Sequence, residues 1–152
     1  MKVFIGYDHR GTNFAYKLIE WLEDKGYEIN EPFDDGSPED DYPDISKIVC
    51  EMVNKEKGSR GVLICGTGIG MCMAANKEKN IRAVFARNEI DAYFARKHED
   101  ANVLVLSAGY KDEDKEVKSP KSYVKILEAF FNTPFDGGRH EKRVKKLNSI
   151  IK

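Results

Sequence analysis

Four short runs of branched and small apolar residues, Val3 to Ile5, Val62 to Cys65, Ala83 to Ala86 and Val103 to Leu106, are separated by stretches with helical periodicity. Each run is bounded by Gly, Asp or Asn and is too short for a core helix, so each reads as a buried strand. Phe14, Leu18, Trp21 and Leu22 share one helical face before Gly26, a candidate C-terminal cap, and Ile45, Ile48, Val49 and Met52 do the same before Gly58. A weaker strand, Tyr27 to Asn30, falls between these two helices. Further helices are expected from about Ile69, over Ile90 to His98, and from Tyr123 to Phe131. Strand and helix thus alternate, and parallel strands joined by helical crossovers must bury both faces of their sheet. The expected fold is α/β: a three-layer Rossmann-like sandwich with a mostly parallel sheet of about five strands.

At 152 residues the chain suits a single domain, 1–152, large enough to bury a core without disulfides or a structural metal. Residues 136–152 form a basic C-terminal helical tail, with Val144, Leu147 and Ile151 on one stripe that could pack on its own domain or on a partner. Two charged stretches, Asp34 to Asp44 and Tyr110 to Lys121, read as solvated loops, the first ending in helix-capping acids.

A formal net charge of -1 gives no bulk attraction for nucleic acid, and no apolar stretch approaches the length of a membrane span. The opening MKVFIGYD meets Asp8 too soon for the apolar core of a signal peptide. Cys50, Cys65 and Cys72 are odd in number and lack CxxC spacing, which argues against a disulfide framework or a zinc site and for a reducing cytoplasm. Cys50 falls on the apolar face of a helix and Cys72 at a packing position.

In open α/β sheets, ligands gather outside the carboxyl ends of the strands. Two loops occupy such places, Gly6-Tyr7-Asp8-His9 after the first strand and Cys65-Gly66-Thr67-Gly68-Ile69-Gly70 after the third. Glycines let backbone N–H groups turn toward an oxyanion or phosphate. Cys65 either ends a buried strand as a core residue or acts as a base, since a helix N-terminus can lower a thiol pKa. The chain has three histidines, and His9 and His98 lie near strand ends, where acid–base work is plausible. Arg139 and Arg143 share one face of the tail helix, which suits phosphate or is simply a solvated basic face.

Together the stretches GYDHRG, DYPD, GVLICGTGIGMCMAANK, IRAV, ARKHEDANVLVL and FDGGRHEKRV resemble the ribose-5-phosphate isomerase B family over nearly the whole chain. That family also includes galactose-6-phosphate isomerase subunits and allose-6-phosphate isomerase. The resemblance implies aldose–ketose isomerisation of a sugar phosphate through an enediolate. It also implies a homodimer or dimer of dimers with sites shared between subunits, the tail contacting the partner, and no metal or organic cofactor. Cys65 matches the base, and Met71 stands where members lacking that cysteine carry a glutamate.

By the same resemblance, Thr67 assists proton transfer, His98 opens the sugar ring and Asp8 contacts ring hydroxyls. Gly66, Gly68, Ile69, Gly70, Asn76 and Glu99 line the oxyanion and the sugar, and His9, Arg139 and Arg143 bind phosphate. The chain departs from the family pattern at Glu99, where many members carry asparagine, and at Arg10. It departs again at Gly109, near the place of a usual arginine, and in the longer loop Tyr110 to Lys121. The expected substrate is ribose 5-phosphate, interconverted with ribulose 5-phosphate. The alternatives are a hexose 6-phosphate or another sugar phosphate and, from a different class, a noncatalytic sugar-phosphate or nucleotide-binding module.

Overall fold

The computed structural model describes residues 1–33 and 41–152. Five strands, β1 (Lys2–Tyr7), β2 (Glu28–Phe33), β3 (Arg60–Cys65), β4 (Ala83–Phe85) and β5 (Val103–Ser107), form one parallel sheet in the order β2-β1-β3-β5-β4. All five expected strands are present. The helices between them are α1 (Thr12–Asp24), α2 (Tyr42–Lys55), α3 (Ile69–Ala75) and α4 (Glu89–Glu99); α5 (Tyr123–Asn132) and α6 (Glu141–Ile150) follow β5.

The central strands alternate between two cores, which is why they read as unbroken apolar runs. Val3 and Ile5 of β1, Val62 and Ile64 of β3, and Leu104 and Leu106 of β5 face α1 and α5. Phe4, Leu63, Cys65, Val103 and Val105 face the opposite layer, which contains Ile45, Val49 and Cys50 of α2 and Met71 of α3. A period of two with both faces buried is the pattern a helix-covered parallel sheet requires. Gly6 allows α2 to approach β1 closely, because a Cβ there would stand 2.7 Å from Val49 and 2.8 Å from Ile45.

Two loop expectations met different outcomes. In the acidic stretch, residues 34–40 lie outside the described residues; Asp41 is the N-cap of α2 in extended conformation, without a side-chain cap bond. The charged stretch after β5 is not a featureless loop. It forms a small antiparallel hairpin, β6 (Tyr110–Lys111) with β7 (Glu116–Val117), closed by Asp112, whose Oδ1 accepts from the N–H groups of Asp114 and Lys115. The tail begins with a 3-10 turn, Gly138–His140, and continues as α6, which buries Val144.

Candidate active site

The strand order sets the place of the site. From β1 the chain passes through α1 on one face to β2, then through α2 on the other face to β3, on the opposite flank of β1. The two crossovers diverge between β1 and β3, opening a crevice at the carboxyl ends of those strands. Asp8 emerges there from β1 and Cys65 from β3, and the Asp8 N–H still donates to the Ile64 carbonyl at 3.2 Å.

Asp8 is 8% exposed, and its Oδ1 accepts from the N–H groups of Arg10 at 3.0 Å and Gly11 at 3.2 Å. This carboxylate therefore pins the β1–α1 loop that carries His9. On β3, Cys65 is 5% exposed and its sulfur accepts from the Gly68 N–H at 3.2 Å. Gly68 takes φ +80°, and a Cβ there would lie 2.5 Å from the Phe85 ring, so the tight turn admits only glycine. Thr67 Oγ1 accepts from the Ile69 N–H at 3.2 Å.

Two of the loop amides thus point inward, at Cys65 and Thr67, rather than at an external oxyanion. The Cys65 thiol is pushed up, chiefly by burial, with Asp8 adding to the rise; the backbone N–H groups of Met71, Gly68 and Thr67 oppose it. Burial outweighs the turn's donors, which reverses the direction a helix N-terminus alone would suggest. The resting residue is a thiol held in a cradle of amides that would stabilise its thiolate. A cavity of about 330 Å³ opens beside this turn, bordered by Thr67, Phe85, Ser107 and Lys118.

The remaining candidates gather elsewhere. His98 lies in the last turn of α4, three residues before Ala101, and the β5 start at Val103 pairs with Gly61, whereas Cys65 pairs with Ser107. His98 therefore lies toward the amino edge of the sheet, separated from the level of Cys65 by the length of β5, roughly 13 Å. The 3-10 turn docks there: the Asp136 N–H donates to the Lys97 carbonyl at 3.0 Å, and the His98 and His140 rings stack with centroids 4.3 Å apart. Arg139 and Arg143 accompany that turn and α6 and are exposed.

The candidate residues of one chain consequently fall into two groups. Asp8, His9, Cys65 and Thr67 occupy the carboxyl edge, and His98, Glu99, Arg139 and Arg143 the amino edge. His98, Asp136 and His140 are also a group that could hold a metal ion, with ligand atoms within 4.8 Å of one another. Their rings lie 11° from parallel, so the in-plane lone pairs do not converge on one point as a metal requires.

Asn76 stands apart from Cys65. It follows α3 at the end remote from Cys65, and both ends of its carboxamide are engaged by β4: Nδ2 donates to the Ala83 carbonyl at 2.9 Å, and Oδ1 accepts from the Ala83 N–H at 2.9 Å. It staples α3 to the edge strand and, with Glu99, borders a cavity of about 670 Å³. Gly70 serves packing, because a Cβ there would meet the Tyr42 ring at 2.6 Å.

Two residues near the site had drawn no role from the sequence. His140, the partner of His98, is buried, and Tyr110 stacks its ring beneath the Arg10 guanidinium at 4.9 Å. The adjacency of His140 to Arg139 was the only sequence signal for the first. None existed for the second.

Comparison with known proteins gives the family. The family model described as ribose/galactose isomerase matches residues 3–147. The probable ribose-5-phosphate isomerase B of Mycoplasma pneumoniae is 38% identical over 149 residues, covering 95% of this chain and 91% of its own. Among solved structures, ribose-5-phosphate isomerase B of Clostridium thermocellum superposes with a TM-score of 0.87 at 37% identity, covering 99% of this chain and 97% of its own. That of Mycoplasma genitalium, with bound ribulose-5-phosphate, gives 0.86 at 35% identity, with coverage of 98% and 95%. With a cysteine cradled at the β1/β3 crevice and a family match along almost its full length, the chain belongs to the ribose/galactose isomerase family.

Proposed function

We propose that this protein is an aldose–ketose isomerase that interconverts ribose 5-phosphate and ribulose 5-phosphate. The observation that carries the reading is the Cys65 sulfur, nine-tenths buried, backed by amides and set beside Asp8 at the mouth of the crevice. A binding module needs no such group, whereas removal of the C2 proton needs a base shielded from water. The relatives narrow the substrate: a Mycoplasma genitalium protein 35% identical to this one was solved with bound ribulose-5-phosphate.

In this mechanism His98 first opens the furanose by moving a proton between the anomeric hydroxyl and the ring oxygen. Cys65, once its thiol proton has been lost to solvent, takes the proton from C2 as a thiolate, and the electron pair moves toward O1 to give an enediolate. Thr67 passes a proton between O2 and O1, and the Cys65 thiol returns its proton to C1, which yields the ketose. Backbone N–H groups of the glycine turn not already committed to Sγ or Thr67 stabilise the developing oxyanion. Asp8 orients the sugar hydroxyls, and His9, Arg139 and Arg143 bind the phosphate.

The half-sites at opposite edges of the sheet motivate a homodimer, in which each site takes Cys65 from one subunit and His98 from the other. Exposed apolar side chains support a second copy: Met73 is 65% exposed on α3, Ile90 60% on α4 and Ile150 71% on α6. No helix of the described residues is long and apolar enough to cross a membrane. The three free cysteines suit a reducing cytoplasm.

The test is a panel of pentose and hexose phosphates assayed for aldose–ketose conversion. Conversion of ribose 5-phosphate with the highest kcat/KM supports the reading, and a hexose 6-phosphate preferred over it replaces the substrate. Absence of all conversion, together with sugar-phosphate binding, favours the noncatalytic module.

A further inference from the structure

We propose that Arg10 binds the substrate's phosphate from the same subunit as Cys65, with Tyr110 of the β6–β7 hairpin as its brace. The proposal rests on the isomerase reading above. The backbone of Arg10 is fixed, since its N–H and that of Gly11 both donate to Asp8 Oδ1. Its side chain is directed across the glycine turn: a Cβ added to Gly66 would meet Arg10 Cδ and Tyr110 Cδ2 at 3.3 Å each. Arg10 and the hairpin thus both lie over the residue that follows Cys65.

The guanidinium carbon stands 4.9 Å from the centre of the Tyr110 ring. Stacking on a ring face orients the planar fork while leaving its in-plane N–H donors unused. Among the described residues, no carboxylate forms an ion pair with Arg10. An exposed, oriented guanidinium with no ion-pair partner among the described residues, next in sequence to a proposed phosphate ligand, His9, has the chemistry to take a phosphate monoester. The surroundings match that charge: a cavity of about 500 Å³ next to Arg10 is bordered by Lys111, Lys118 and Lys121 against the single acid Glu116. Lys118 also borders the cavity beside Thr67, so the hairpin walls both spaces.

The hairpin accordingly acts as a substrate-site wall and not as a solvated excursion. A cation donated by the Cys65-bearing subunit would complement Arg139 and Arg143, which reach the phosphate from the partner.

The experiment measures KM and kcat for ribose 5-phosphate and, separately, the Kd of inorganic phosphate by calorimetry. The proteins are the wild type, Arg10→Ala, Arg10→Lys, Tyr110→Ala and Tyr110→Phe, with circular dichroism to verify folding. For Arg10→Ala, KM and the phosphate Kd are expected to rise together by about ten- to a hundredfold, while kcat changes less than about threefold. Arg10→Lys recovers part of the loss, and Tyr110→Phe, which keeps the ring, loses less than Tyr110→Ala. A folded Arg10→Ala protein with the wild-type phosphate Kd overturns the proposal, as does a loss confined to kcat. If the wild type turns over no sugar phosphate, the isomerase reading fails, while the phosphate titration still decides whether Arg10 is an anion ligand.

Discussion

The imidazoles of His98 and His140 stack face to face, with centroids 4.3 Å apart and planes 11° from parallel. Two protonated rings at that separation repel one another, and the neighbourhood is already cationic. The pKa of His140 is held down by burial first, then by His98, Arg139 and Arg143, with Asp136 opposing. Because the folded-state pKa lies below the unfolded value near 6.5, His140 stabilises the fold above that pH and loses this contribution as pH falls through its folded pKa. NMR titration should place the His140 midpoint below 6.5. The drop in Tm between about pH 7 and pH 5 should shrink in His140→Asn, and an unchanged drop would contradict the assignment.

The sheet was legible because its strands are apolar on both faces and its helices on one, so period and run length sufficed. The β6–β7 hairpin was not: Tyr110, Lys111, Glu116 and Val117 are all exposed, and a two-residue strand with no buried face has no periodicity to read. Cys65 was visible as a site residue from its place before the glycines, but the direction of its pKa depends on Met71 and the packing against α2 and α3, which only the fold supplies. The place of Asn76 was hidden for the converse reason. Its motif adjoins the glycine turn in sequence, yet α3 carries it away from Cys65 and Ala83 engages it. That His98 and Cys65 lie at opposite edges follows from strand register, which no local pattern encodes.

Removing the Cys65 sulfur should lower kcat/KM by about 10²–10⁴-fold, the usual contribution of a positioned base. The fold should persist in Cys65→Ala at a cost of about 1 kcal/mol, because the Gly68 N–H loses its acceptor. Exchange of the C2 proton in deuterated water should disappear with turnover. Cys72→Ala is the control, and normal turnover by folded Cys65→Ala would remove Cys65 from the role of base.

The raised pKa of Cys65 also sets a pH dependence. Below its folded pKa the free enzyme is mostly thiol, so log kcat/KM should climb with a slope near one from neutral pH to beyond the ordinary thiol value of about 8.5. The linkage to stability has the opposite sense: the folded state holds this proton more tightly, so its contribution is present below about 8.5 and is lost as pH rises through the folded pKa. A plateau reached by pH 7 would show that the amides outweigh burial.

Gly68→Ala combines two separable costs. The left-handed backbone, φ +80°, should cost about 1–3 kcal/mol. The Cβ contact at 2.5 Å from the Phe85 ring adds to it. Denaturant unfolding of Gly68→Ala in the wild type and in a Phe85→Ala background forms a double-mutant cycle. The substitution should be milder in the second background yet still unfavourable, and equal costs in both would eliminate the ring as a cause.

Sharing of the site between subunits can be tested with two inactive proteins. Cys65→Ala lacks the proposed base, and Arg139→Ala/Arg143→Ala lacks the two proposed phosphate ligands, each expected to be worth about tenfold or more in binding. If every site takes Cys65 from one subunit and the arginines from the other, a heterodimer of these chains has one site with both defects and one with neither. Activity should then return on mixing, toward half of the wild-type value per heterodimer, with subunit exchange verified by native mass spectrometry. If the tail served its own subunit's site, each site in the heterodimer would keep one defect and mixing would restore nothing. Register predicts the first outcome, because His98 and the tail stand at the amino edge of a sheet whose carboxyl edge carries Cys65, so that the two groups of one chain are separated by the length of β5.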